Sequence, residues 1–76
     1  LAIHVAISKV YQIVGEAIHI RRRRLRLSQE KLAEKADVHR NYIGEIERAE
    51  KKATLETLAK IAKALGVRLR DLVGDV

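Results

Sequence analysis

The sequence has no cysteine, proline, methionine, phenylalanine or tryptophan, and its only aromatic residues are two tyrosines. Without cysteine there is no disulfide, no cysteine metal site and no thiol chemistry, which fits a reducing interior. Without proline, and with only four glycines, little in the chain stops a helix. No apolar run approaches the roughly 20 residues that a membrane span needs. The opening "LAIHVAISK" lacks the basic region and compact apolar block of a secretory signal, so a soluble, cytoplasmic protein is expected. His4, His19 and His39 share no metal-ligand spacing, and no Ser, His and Asp set stands in the context of a nucleophile elbow. The expectation is a protein with no catalysis, no cofactor, no metal and no small-molecule substrate.

What is present is aliphatic and basic. Val, Ile and Leu number 24 and Ala 10, so the core must be built from branched aliphatic packing. Ala, Leu, Glu, Lys and Arg dominate, all strong helix formers, and the expected class is all-α. The 76 residues allow one small domain, residues 1–76, near the lower limit for a core without a staple. Sixteen Lys and Arg against ten Asp and Glu leave a net charge of +6. The excess is central: residues 21–48 hold nine basic against five acidic side chains, whereas residues 1–20 hold one of each. An isoelectric point near 10.1 on so small a domain implies a polyanionic partner, nucleic acid before lipid.

Apolar residues at Val10, Ile13, Val14, Ala17, Ile18 and Leu25 recur at helical spacing and predict a first helix over about 9–26, with Ser8 as its N-cap. The preceding "LAIHVAI" alternates apolar with small or polar residues, which fits a short strand or an extension of this helix, and for residues 1–7 a helical or frayed extension is expected. The helix ends in "RRRRLR", favourable at the negative end of a helix dipole. Ser28 caps a short second helix through Leu32, Ala33 and Ala36, and Asp37 with Val38 makes a tight turn. His39 or Arg40 opens a third helix through Ile43 and Ile46 to about Ala49. Thr54 caps a fourth, with Leu55, Leu58, Ala59, Ala62 and Leu65 as one stripe and Gly66 as its stop. A fifth covers about 69–73.

Two short helices joined by about three residues cross steeply, which is the helix-turn-helix arrangement. The second can then enter a major groove about 12 Å wide. With Val38, Ile43 and Ile46 inward, its outer side carries His39, Arg40, Asn41, Gly44, Glu45 and Arg48. Arg can bond guanine O6 and N7, Asn can pair with adenine, and Glu can accept from the cytosine amino group. Gly44 lowers helix propensity by about 1 kcal/mol relative to Ala, and its place on this side predicts close approach of the backbone to the groove. Glu47 reads as a structural partner for a nearby Arg. In the Arg21–Arg24 run four consecutive residues point in four directions, so only part of it can meet phosphate.

"LSQEKLAEKADVHRNYIGEIER", followed by "TLETLAKIAKALGV", resembles the lambda-repressor-like, Cro/C1-type (XRE) helix-turn-helix family over about residues 17–73. The phrase "HRNYIGEIER" and a first helix reaching back to about Ser8 are most similar to the controller proteins of restriction-modification operons. The resemblance implies a compact five-helix domain and a dimeric transcription regulator on double-stranded DNA. It also implies that Arg40, Asn41 and Glu45 face base edges, that His39, Tyr42 and Arg48 lie near phosphates, and that Gln29 binds phosphate or supports the reading helix. Arg23 joins the phosphate set from the Arg run. Asp37 and Ala49 stand where the family usually has Gly, and Ala53 where it often has Pro; Ala49 predicts that the third helix runs on further.

Val67, Leu69, Leu72, Val73 and Val76 are more aliphatic residues than a single-turn helix needs to seal a core, so a homodimer interface is expected there. Two reading helices about 34 Å apart would then match the half-sites of a pseudo-palindromic operator. Two other classes fit less of the sequence: a protein-interaction module such as the DNA-binding half of an antitoxin, and a non-specific binder of RNA or anionic membrane, supported only by the Arg run.

Overall fold

The helices end where local chemistry ends them. In the computed structural model, which describes residues 7–74, they are α1 (Ile7–Arg24), α2 (Gln29–Ala36), α3 (Arg40–Glu47), α4 (Leu55–Leu65) and α5 (Leu69–Val73). The Ser28 hydroxyl accepts from the Lys31 N–H at 3.0 Å and the Thr54 hydroxyl from the Thr57 N–H at 3.1 Å. Each satisfies one of the donors a helix start leaves without partners. The Arg68 N–H donates to Asp71 at 2.9 Å and opens α5.

The first four helices close alike. Arg26, Asp37, Ala49 and Gly66 adopt left-handed backbone, with φ of 57°, 56°, 58° and 74°. In each case the next residue's N–H reaches the carbonyl five residues back: Leu27 to Arg22, Val38 to Ala33, Glu50 to Glu45 and Val67 to Ala62. This closure satisfies the last carbonyls and normally selects glycine at the left-handed position. Only Gly66 carries that signal, so the expected ends of α1 and α3 both move, and the start of α1 moves as well. α1 is under way at Ile7, which puts Ser8 inside it, and it ends at Arg24. α3 stops at Glu47 instead of running through Ala49, because Ala49 takes the left-handed turn that a glycine would take.

Val14 and Ile18 of α1, Leu32, Ala33 and Ala36 of α2, and Ile43 and Ile46 of α3 form one buried cluster with residues of α4 and with Leu72 of α5. α4 contributes Leu58, Ile61, Ala62 and Leu65. Its buried stripe is thus turned from the expected one: Ile61 is inside, while Leu55 is 72% exposed and Ala59 is exposed. Leu25, counted with the α1 stripe, lies beyond that helix and is also exposed. α2 packs on α3 and α4, and α1 lies across α3 and α5. Gly15 makes the α1–α3 contact possible, since a Cβ there would stand 2.3 Å from the Ile46 carbonyl oxygen. Among the described residues no helix is long and apolar enough to cross a membrane.

Candidate nucleic-acid interface

The turn from α2 to α3 spans Asp37 to His39, and left-handed Asp37 sets the angle between them. His39 caps α3, its Nδ1 accepting from the Asn41 N–H at 3.1 Å. The ring is therefore an acceptor at the helix start, and a neutral ring keeps its proton on Nε2. Ile43 and Ile46 anchor the inner side of α3. Arg40 and Asn41 are exposed and Glu45 half-buried. Together with Gln29, Gly44, Arg48 and Glu50 they line one open concavity of about 350 Å³. Tyr42 is half-buried, with the Lys51 ammonium 4.7 Å above its ring, a cation–π contact tying the α3–α4 loop to α3.

Behind this face lies a polar brace. Glu47, whose side chain is 4% exposed, accepts from Arg22 Nε at 2.6 Å and Nη2 at 3.0 Å, a forked charge-assisted pair. Its Oε1 also lies 2.8 Å from His19 Nδ1 and accepts from Gln29 Nε2 at 3.2 Å. Arg22 is buried and completes its bonding through Nη1 to the Leu27 carbonyl at 2.8 Å. Burial alone pushes the Glu47 carboxyl up, but the hydrogen bonds from Arg22, His19 and Gln29 hold it below its ordinary value of 4.5. Among the described residues no buried side-chain polar atom lacks a partner. One carboxylate thus joins the ends of α1 and α3 to the start of α2.

Glu47 is the structural partner of an Arg, as its position predicted. That the Arg is Arg22 was hidden inside the basic run. The signal available was spacing, because Arg22 continues the Val14, Ile18 row at intervals of four and so faces inward. Gln29, by bonding Glu47, supports α3 from behind. Arg23 is exposed, and with Arg22, Arg26, Leu27 and Ser28 lines an open cleft of about 510 Å³ beside the N-terminus of α2. Arg23 and Arg26 add exposed positive charge where that helix presents its first N–H groups.

A helix-turn-helix family model, HTH_3, matches residues 18–72, a span that takes in α2, the turn and α3 whole. The chain belongs to this family. This HTH_3 chain is 48% identical over 54 residues to the control protein C.BamHI of Bacillus amyloliquefaciens, covering 71% of this chain and 67% of that protein. Its fold is similar to that of the restriction-modification controller protein C.AhdI from Aeromonas hydrophila, with a TM-score of 0.80 and 32% identity over 82% of this chain and 94% of that one. It is also similar to the P22 c2 repressor protein in complex with synthetic operator 9T, with a TM-score of 0.75, 32% identity and the same coverage of both chains. The lambda-repressor-like, all-α architecture and the likeness to controller proteins read from the sequence are both borne out.

Two expectations for this HTH_3 chain need correction. Gly44 is buried rather than open to the groove: a Cβ on it would lie 2.9 Å from Arg48 Nη1 and 3.0 Å from Gln29 Oε1, so those two side chains already cover it. Arg48, exposed, donates from Nε to Glu50 at 3.0 Å and lies back along α3. Leu72, expected on a surface shared with a twin, is fully buried in the core. Val67, Leu69 and Val73 are half-buried against that core. Val76 lies outside the described residues.

Proposed function

We propose that this protein is a sequence-specific DNA-binding transcription regulator that holds a pseudo-palindromic operator as a homodimer, in the role of an autoregulatory controller of a restriction-modification system. The observation that carries this reading is the Arg40, Asn41 and Glu45 face of α3, braced from behind by the Arg22, Glu47 and Gln29 bonds. Three base-reading side chain types on a short helix held at both ends are what direct readout in a major groove requires. Arg23, His39 through its Nε2–H, and Tyr42 through its hydroxyl contact flanking phosphates and set the register. The likeness to C.BamHI and C.AhdI supports the controller role, and that to P22 c2 supports operator binding.

The dimer surface centres on the exposed Leu55 and half-buried Val73, which with Val10, Tyr11, Val14 and Leu58 line an apolar hollow of about 230 Å³. Half-buried Leu69 of α5, and Val67 just ahead of that helix, belong to the same proposed surface. A Leu left 72% exposed beside an apolar hollow is the arrangement a self-complementary two-fold contact uses, each copy supplying the other's filling. Selection of bound duplexes from a random pool tests the reading. Enrichment of a pseudo-palindrome is expected, with Arg40→Ala weakening binding by about 1–3 kcal/mol and flattening preference at one base pair per half-site. Equal retention of random duplex, RNA and anionic vesicles, with no enriched sequence, would overturn it.

A further inference from the structure

Gln29 and Arg48 converge on the surface of α3 in a way that neither residue's position in the sequence reveals. The Gln29 amide has its Nε2 committed to Glu47 at 3.2 Å, and its carbonyl Oε1 lies 3.0 Å from the point a Gly44 Cβ would occupy. Arg48 has its Nε committed to Glu50 at 3.0 Å, and its Nη1 comes to 2.9 Å from that same point. One acceptor and one donor thus sit side by side over bare backbone, inside the concavity that Arg40, Asn41 and Glu45 also line. Any side chain at position 44 would push them apart. A carbonyl oxygen is a poor partner for phosphate, since both are acceptors.

We propose that Gly44 is a positioning residue that lets Gln29 Oε1 and Arg48 Nη1 read one adenine per half-site, Oε1 accepting from the N6 amino group and Nη1 donating to N7. This pairing uses the donor-beside-acceptor edge that distinguishes adenine in the major groove. It rests on the operator-binding reading above, and assigns Gln29 and Arg48 to base recognition instead of the backbone. The brace behind the site gives it definition: Glu47, held by Arg22, fixes which way the Gln29 amide faces.

The test compares the wild type with Gly44→Ala and Gln29→Ala on the duplex enriched from a random pool and on its single-base variants. Gly44→Ala should fold, because the atoms its methyl meets are the far ends of side chains instead of backbone, and Ala is the better helix former. Discrimination at one adenine per half-site should fall about tenfold in both variants, with preference at the other positions retained. Replacing that adenine by 7-deazaadenine should weaken the wild type and leave Gly44→Ala little changed. Unaltered discrimination at every position, a loss centred on another base, or a uniform weakening across all sequences would overturn the proposal while leaving operator binding intact. A wild type without any sequence preference would overturn both.

Discussion

Replacing Gly15 by Ala sets two opposing effects against each other. Gly15 lies inside α1, where Ala is the better helix former by about 1 kcal/mol. Against this, its Cβ would stand 2.3 Å from the Ile46 carbonyl oxygen, 2.9 Å from that of Glu47 and 3.1 Å from the Glu47 carbonyl carbon. Ordinary carbon–oxygen contacts begin at about 3.3 Å, so α1 must retreat from α3 by about 1 Å. Both sides of the contact are backbone, leaving no side chain to move aside. Overpacking of this kind costs about 1–3 kcal/mol. The retreat would also stretch the 2.6 Å Arg22–Glu47 bond, which places the substitution at or beyond the upper end. A net loss of about 2 kcal/mol should lower Tm by roughly 8–16 °C in a domain of this size. Thermal and urea unfolding followed by circular dichroism measure it. Gly44→Ala is the internal control, because its clashes are with side-chain ends and its Tm should rise. A Gly15→Ala protein as stable as the wild type would refute the claim that α1 rests directly on the α3 backbone.

The Glu47 carboxyl is held below 4.5 in the folded protein, so its bonding contributes in full above about pH 4.5 and is lost as pH falls through the lower folded value. Acid unfolding should therefore be less steep in Glu47→Gln than in the wild type, although that variant is less stable at pH 7; parallel acid profiles would contradict this. Ala49→Gly should raise stability by about 0.5–1 kcal/mol, since glycine adopts the φ of 58° without steric penalty, and an unchanged urea midpoint would argue against left-handed backbone there. Affinity for duplex should fall steeply with salt, and Arg23→Ala should make that slope shallower by about one counterion without altering base preference.

The helical class, the five elements and the outward Arg40, Asn41 and Glu45 were legible because they depend on local signals: helix-forming composition, the Ser28 and Thr54 caps, and spacing around Ile43 and Ile46. What stayed hidden depends on neighbours distant in sequence. Gly15 looks like a weak spot in a helix until α3 is laid against it. Arg22 looks like one of four solvated arginines until Glu47 meets it. Ala49 gives no sign of a turn, because its left-handed backbone is imposed by the bonds that close α3 on either side of it. Gly44 is odd for a helix on propensity alone, and the reason lies in Gln29 and Arg48 folding over it. In α4 the expected stripe admitted Leu55 and Ala59 and omitted Ile61, because spacing alone does not say which of two adjacent rows faces α2 and α5.

The central claim is that the concave face of α3 enters DNA. It is tested most directly by recording amide and side-chain NMR shifts while the ¹⁵N-labelled protein is titrated with its selected duplex. The largest changes should fall on Gln29, Arg40, Asn41, Gly44, Glu45 and Arg48, with smaller ones at Arg23 and His39. Changes confined to the Arg21–Arg24 run, or centred on α5 with the α3 face unmoved, would contradict it.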